Sequence, residues 1–291
     1  MLENTEPVTF LRGWASAGRA IRLIQLMRLN DVDASAHTDE PRDFVESETK
    51  RRTFWIAFCL DRLICILEGL PLTLSEQTIC TRLPSPENMF LSGTPVKMPF
   101  LPQALSASIE PSIRASPFVE SILFTALWGR VFLHHQQSAA ERVCGNVSAG
   151  AGQRQTLLED LLSRHLSRFR ESFPSATVEV NQMLLFTDMI AQTTVLALCR
   201  EAELLAPDAA KYSDFILRYQ WKASEAAQKL SCVAGHLSGF NLFQLGSVNR
   251  LRQGTQDAMV VDVDFSSTLQ SSNEVVTLHD EDINMLEVAD F

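Results

Sequence analysis

The chain lacks paired cysteines. Its six, at 59, 65, 80, 144, 199 and 232, form no CxxC unit and no metal-ligand spacing, which argues against the small zinc modules that hold thiolates at short separations. Most of them sit in apolar stretches, so the sequence predicts buried thiols in a reducing compartment. It also lacks a basic excess. Twenty-five Lys and Arg face 35 Asp and Glu, a net charge of −10, and duplex DNA calls for a basic face. No long uninterrupted apolar run stands out: Phe54 to Leu67 is broken by Asp61 and Arg62 and is too short to span a bilayer. The opening MLENTEPVTF has no basic n-region, so no secretory signal is read. The expectation is an intracellular protein with no membrane partner, in which the Asn146-Val147-Ser148 sequon occurs by chance.

Catalytic signatures are missing as well. There is no GxxxxGK[ST], no GxGxxG, no HExxH and no DDxxD, and Gly235-His-Leu-Ser-Gly239 has the wrong order for a nucleophile elbow. Asp31-Val-Asp33-Ala-Ser35 begins like a calcium loop, but Ala36 stands where the glycine is needed and Arg42 where the last acid is needed. His134 and His135 are neighbours and point different ways on a helix, so a surface or half-buried role is favoured over a ligand role. No triad and no carboxylate pair is found. The chain is expected not to be an enzyme and to carry no cofactor.

What is present is helix. Of the 291 residues, 46% are hydrophobic, enough for a sizeable core. The spacing predicts a helix over Phe10–Leu29, with Trp14, Ala17, Gly18, Ile21, Ile24 and Met27 on one side. A second runs from an N-cap near Ser47 to Gly69, with Pro71 preventing continuation. A short turn and extended chain follow it to Leu83, which can plug back onto the helices. Residues 84–117 hold seven of the twelve prolines, which predicts a long irregular connection. Further helices are predicted over Ser116–Arg142, Gln153–Ser172, Glu179–Leu205 and Asp208–Leu237. In the second of these, Leu157, Leu158, Leu161, Leu162 and Leu166 form a stripe. The third is apolar nearly all round and reads as the central helix. The fold class is all-α: an irregular multi-helix domain with a proline-rich connection and a disordered acidic tail. The boundaries expected are 1–83, 84–115, 116–245 and 246–291.

The charge is uneven. From Thr255 to Phe291 there are nine acidic residues and no Lys or Arg, whereas residues 1–254 carry 26 acids against 25 bases. Acids in the tail alternate with Val, Phe, Leu, Ile and Met, the composition of disordered activation segments. Ile283, Leu286 and Phe291 are candidate anchors for a coactivator groove.

One segment carries a pattern. It contains Glu48, Arg51, Arg52, Phe54-Trp55, Phe58, Asp61-Arg62, Gly69, Pro71 and Leu83-Pro84, in that order. Upstream lies WASAGRAIRLIQLMRLN. This arrangement resembles the fungal-specific transcription factor domain, the helical middle-homology region of zinc-cluster regulators. The resemblance implies an RNA polymerase II regulator of a pathway or gene cluster, working in the nucleus through coactivators. It also implies a zinc cluster on another segment, absent here, so that DNA would be reached through a missing domain or a partner. By the same resemblance, the domain's own first helices are expected ahead of Phe10 and are not read there. Two alternatives stay open: an interaction module that does not bind DNA, and an all-α small-molecule-binding protein or enzyme. A small-molecule effector and a homodimer also stay open. Within the motif, Asp61 is expected to pair with Arg19 or Arg22 of the preceding helix. It and Arg62 either lock helix register, the favoured reading, or line a ligand pocket.

Overall fold

Apolar residues at helical spacing give α1 (Glu6–Leu26) one buried stripe, formed by Ala17, Ile21 and Ile24. The computed structural model describes residues 6–34, 43–106, 116–145, 149–174, 177–178, 181–205 and 213–237. Trp14, on the same helix, is uncovered, at 46%. Ile21 and Ile24 join the main core together with Phe54 and Leu74. The helix ends before Leu29 because Arg28 takes left-handed backbone and opens a tight turn over Leu29–Asp31.

Helix α2 (Phe44–Leu67) starts ahead of the expected Ser47. Asp43 is its cap, and its Oδ1 accepts the Val45 amide at 3.0 Å. The exit is as the sequence predicts. Gly69 sits at φ +68°, and the amides of Gly69 and Leu70 donate back to the carbonyls of Ile66 and Cys65. A left-handed residue just past the helix is the usual place for glycine.

After a single turn at Glu76–Thr78 the chain runs extended between two other segments. The Cys80 amide donates to the Asn30 carbonyl at 2.7 Å and the Leu83 amide to the Pro99 carbonyl at 3.0 Å. Thr81 Oγ1 donates to the Leu29 carbonyl and accepts from the Val32 amide. Leu83 is fully buried, as expected of a plug. The proline-rich connection is long but not bare. It contains α3 (Glu87–Leu91) and α4 (Leu101–Ser106), and it buries Met98, Leu101, Ala104 and Leu105 in the core. Prolines suit its helix starts: Pro86 caps α3 and Pro117 opens the next helix.

The four remaining predicted helices are α5 (Pro117–Val143), α6 (Ala149–Ser172), α7 (Gln182–Leu205) and α8 (Ser213–Leu237). Helix α5, not α7, is the deepest. Every residue from Val119 to Gly129 is buried, because α2, α4, α6 and α7 all pack against it. Helix α7 lies against α5, α6 and α8, yet Met183 and Leu204 near its ends stay exposed. By length and hydropathy α7 could cross a membrane; 56% of that stretch is buried inside the fold. On α6 the leucine stripe faces the core apart from Leu157, which is exposed. Among the described residues there is no strand, and the fold is all-α. The acidic tail and its anchors Ile283, Leu286 and Phe291 lie outside the described residues.

Candidate functional site

The motif residues of α2 form two polar clamps, both holding the chain that leaves α2 against the helix itself. In the first, Glu48 is 1% exposed. Its Oε1 accepts the Ser85 amide at 2.7 Å and Arg52 Nε at 3.2 Å, and its Oε2 lies 3.4 Å from an Arg51 nitrogen. Arg52 also donates to the Ser85 carbonyl at 3.0 Å and to Glu87 at 2.6 Å, and stacks on Phe90. Arg51 turns the other way and grips Asp33 through two bonds of 2.9 and 2.6 Å. Burial would raise the Asp33 carboxyl, but Arg51 and the Arg82 amide together hold it below its ordinary value. Trp55 belongs to the same frame: its indole donates to the Arg82 carbonyl at 2.7 Å, and its ring meets Phe54 and Phe58 edge-on.

The second clamp answers why an acid and a base sit inside an apolar helix. Phe54, Phe58, Asp61 and Cys65 share one face and all are buried. Asp61 does not pair with Arg19 or Arg22. Its Oδ2 accepts Arg62 at 3.1 Å and the Leu74 amide at 3.0 Å, and both of its oxygens lie 3.2 Å from the Thr73 amide. Arg22 instead donates to Gln25 on α1. The correction has a simple cause: the chain beyond Gly69 turns back and offers amides closer than any α1 cation. Arg62 donates to the Leu74 carbonyl at 2.8 Å and lies flat on Phe58, 3.4 Å from the ring centre. Burial lowers its pKa to about 10, which leaves it charged at neutral pH. Gly129 of α5 makes room for it, since a Cβ there would meet Arg62 Cγ at 3.2 Å.

The clamps thus bring together Glu48, Arg51, Arg52 and Trp55 around Ser85 and Arg82, and Asp61 with Arg62 around Thr73 and Leu74. Gly69 shapes the turn between helix and clamp, Pro71 is exposed beside it, and Leu83 and Pro84 are buried beyond it. Sequence reading missed Asp33, Thr81, Arg82 and Gly129. Asp33 was considered only as part of a failed calcium loop, and nothing local marks an acid that pairs across 18 residues.

Elsewhere, His134 is buried, contrary to the surface or half-buried expectation. It hydrogen-bonds Gln155 at 3.1 Å, and burial lowers its pKa. His135 pairs with Glu201 at 2.7 Å, and Arg142 donates to the same carboxylate at 2.8 Å. Burial would raise Glu201, but these two partners pull it to about 2. Cys65 and Cys199 are buried as predicted, whereas Cys80, Cys144 and Cys232 are exposed. Burial pushes the Cys59 and Cys199 thiols up to about 12, which makes them poor nucleophiles.

Two clefts stand out. One of about 270 Å³ lies beside Gln25, Asn30 and Thr78. The other, of about 180 Å³, lies among α6, α7 and α8. Neither is lined by Asp61 or Arg62.

Comparison with known proteins agrees with this geometry. The fungal specific transcription factor domain matches residues 12–138, the stretch that holds both clamps and most of α5. A pigment biosynthesis transcriptional activator of Monascus ruber is 38% identical over 239 residues, covering 80% of this chain and 43% of its own length. A citrinin biosynthesis transcriptional activator of the same organism is 36% identical over 239 residues, with 81% and 46% covered. A transcription factor of Aspergillus terreus is 35% identical over 241 residues, with 82% and 38% covered. The chain therefore spans less than half the length of these relatives, and the shared span reaches past residue 138 into α7. No solved structure matches the chain significantly. The clamps, the helix order and these relatives agree, and the chain belongs, through residues 12–138, to the fungal specific transcription factor domain family.

Proposed function

We propose that the chain is the regulatory part of a nuclear activator that switches on one biosynthetic gene cluster of RNA polymerase II genes. The observation that carries this reading is the 38% identity over 80% of the chain to a pigment biosynthesis activator. The near-neutral body and acidic tail supply no counterion-release term, so DNA is reached through another domain or a partner. The chain itself needs neither zinc nor another cofactor and catalyses no reaction. Its clamps hold a helical frame, and the acidic stretch 255–291 recruits coactivators through Ile283, Leu286 and Phe291.

The test is a reporter. The full chain is fused to an unrelated DNA-binding domain and expressed in a fungal host. Transcription should rise several-fold over the DNA-binding domain alone and fall back with Ile283→Ala plus Leu286→Ala. No rise with a stably expressed fusion would sink the reading. A nanomolar, sequence-selective shift of duplex DNA by the chain alone, at physiological salt, would overturn the assignment of DNA contact to another module.

A further inference from the structure

The cleft among α6, α7 and α8 lies outside the two clamps and outside residues 12–138. Its floor is apolar: Leu162, Leu198 and Ala226 are each at most 4% exposed. Its wall carries one buried aromatic, Tyr219, whose hydroxyl donates to Glu159. Five charged side chains reach the lining, and they are not equivalent. Glu159 is already engaged, accepting from Tyr219 and from Gln155 Nε2 at 2.7 Å, with Lys222 Nζ at 4.0 Å. Glu225 is engaged by Lys229 at 2.5 Å, one helical turn away. Both carboxylates therefore already have hydrogen-bond partners within the fold. Arg170 is different: it lines the cleft from α6, is exposed, and acts on Glu225 only through space, with no hydrogen bond or close ion pair within the described residues.

We infer that this cleft binds a small flat organic anion, its apolar body on the Leu162–Leu198–Ala226 floor and its carboxylate on Arg170. Three cations, Arg170, Lys222 and Lys229, face two acids, Glu159 and Glu225, so the lining leaves one net positive charge for the occupant, and Arg170 is the cation with neither a hydrogen bond nor a close ion pair among the described residues. A volume of about 180 Å³ is below the usual range for drug-sized ligands, so the occupant is the size of one aromatic ring with its substituents. The alternatives fit less well. A cation would have to displace Lys222 or Lys229 from an existing pair, and a neutral ligand would leave Arg170 unused. The site joins helices from three parts of the chain, so an occupant would tie α8 to α6 and α7. It goes beyond the regulatory reading and rests on it only for its consequence, since that tie would give an activator a chemical input.

Salicylate is a suitable probe, being monocyclic, anionic and fluorescent. Salicylamide is its neutral counterpart of nearly the same shape. Titrated into the full chain and followed by calorimetry, salicylate should bind once, with a Kd on the order of 1 mM for so few atoms. Salicylamide should bind about tenfold more weakly or worse. Arg170→Gln should remove the preference for the anion without changing the circular dichroism, because Arg170 is exposed and holds no hydrogen bond among the described residues. Arg164→Gln, on the exposed face of the same helix, should bind like the parent. Equal binding of the two probes, unchanged salicylate binding in Arg170→Gln, or no saturable binding of salicylate would each overturn the inference. The reporter assay reads transcription and this titration reads binding, so either can fail while the other succeeds.

Discussion

Replacing Asp61 with alanine takes one member from an ion pair whose two side chains are 0% and 1% exposed. Arg62 then keeps the Leu74 carbonyl and the Phe58 ring, but of its anions only Glu76, which acts on it through space and is itself held by Arg130. Breaking such a pair from one side costs about 3–5 kcal/mol, because a buried charge loses its direct partner. The Leu74 amide, also buried, loses its acceptor, which adds about 1 kcal/mol or more. The Thr73 amide is near solvent and adds little. The expected total is about 4–6 kcal/mol, close to the whole stability of many domains. Asp61→Asn retains an acceptor for the amides and should cost less, about 2–3 kcal/mol. Replacing both partners, as Asp61→Ala with Arg62→Met, removes the stranded charge. That double variant should be more stable than Asp61→Ala alone, with a coupling energy of about 2 kcal/mol or more. The assay is urea unfolding followed by tryptophan fluorescence, with buried Trp55 and Trp128 as reporters. If Asp61→Ala and Asp61→Asn both fall within about 1 kcal/mol of the parent, the pair does not hold the fold and the reasoning fails.

Trp55→Ala and Phe58→Ala should each cost about 3–5 kcal/mol, since both rings are fully buried; melting within a degree of the parent would place α2 outside the core. Gly129→Ala presses a methyl group on an Arg62 that its own bonds hold in place, so a loss of about 1–3 kcal/mol is expected in urea unfolding, smaller when Arg62→Met is added. Glu201, at about 2 in the fold against an ordinary 4.5, stabilises the folded state above its unfolded pKa, and that stability disappears as pH falls towards 2. The amount is on the order of 3 kcal/mol. Glu201→Gln should therefore lower the melting temperature at pH 7 and leave a flatter acid limb between pH 4.5 and 2.

Much of the frame was legible in the residues. The G-x-P exit of α2 demanded a left-handed glycine and a stop, and both occur at Gly69 and Pro71. The i,i+4 pairing of Glu48 with Arg52 follows from helix geometry alone. The partner of Asp61 was not legible. Backbone amides have no sequence signature, so a carboxylate held by Thr73 and Leu74 looks like one in need of a distant arginine. The rank of α5 over α7 was hidden for a related reason. Hydropathy reports what a helix tolerates, whereas burial depends on how many neighbours surround it, and α5 has helices on four sides. The lower cleft among α6, α7 and α8 was invisible because its residues are charged and apolar side chains scattered over three helices, with no spacing to mark them.

The central claim is that the charged residues of α2 are a frame, holding extended chain through side-chain acceptors. Four amides outside the helices report on it: Thr73 and Leu74 on Asp61, Arg82 on Asp33, and Ser85 on Glu48. Hydrogen exchange measured residue by residue tests it directly. The account predicts that the Leu74, Arg82 and Ser85 amides exchange as slowly as interior amides of α5, and that Asp61→Ala with Arg62→Met, which removes the acceptor without stranding a charge, frees Thr73 and Leu74 while leaving Arg82 and Ser85 protected. Exchange of all four at loop-like rates in the parent, or uniform loss across them in that double variant without global unfolding, would contradict it.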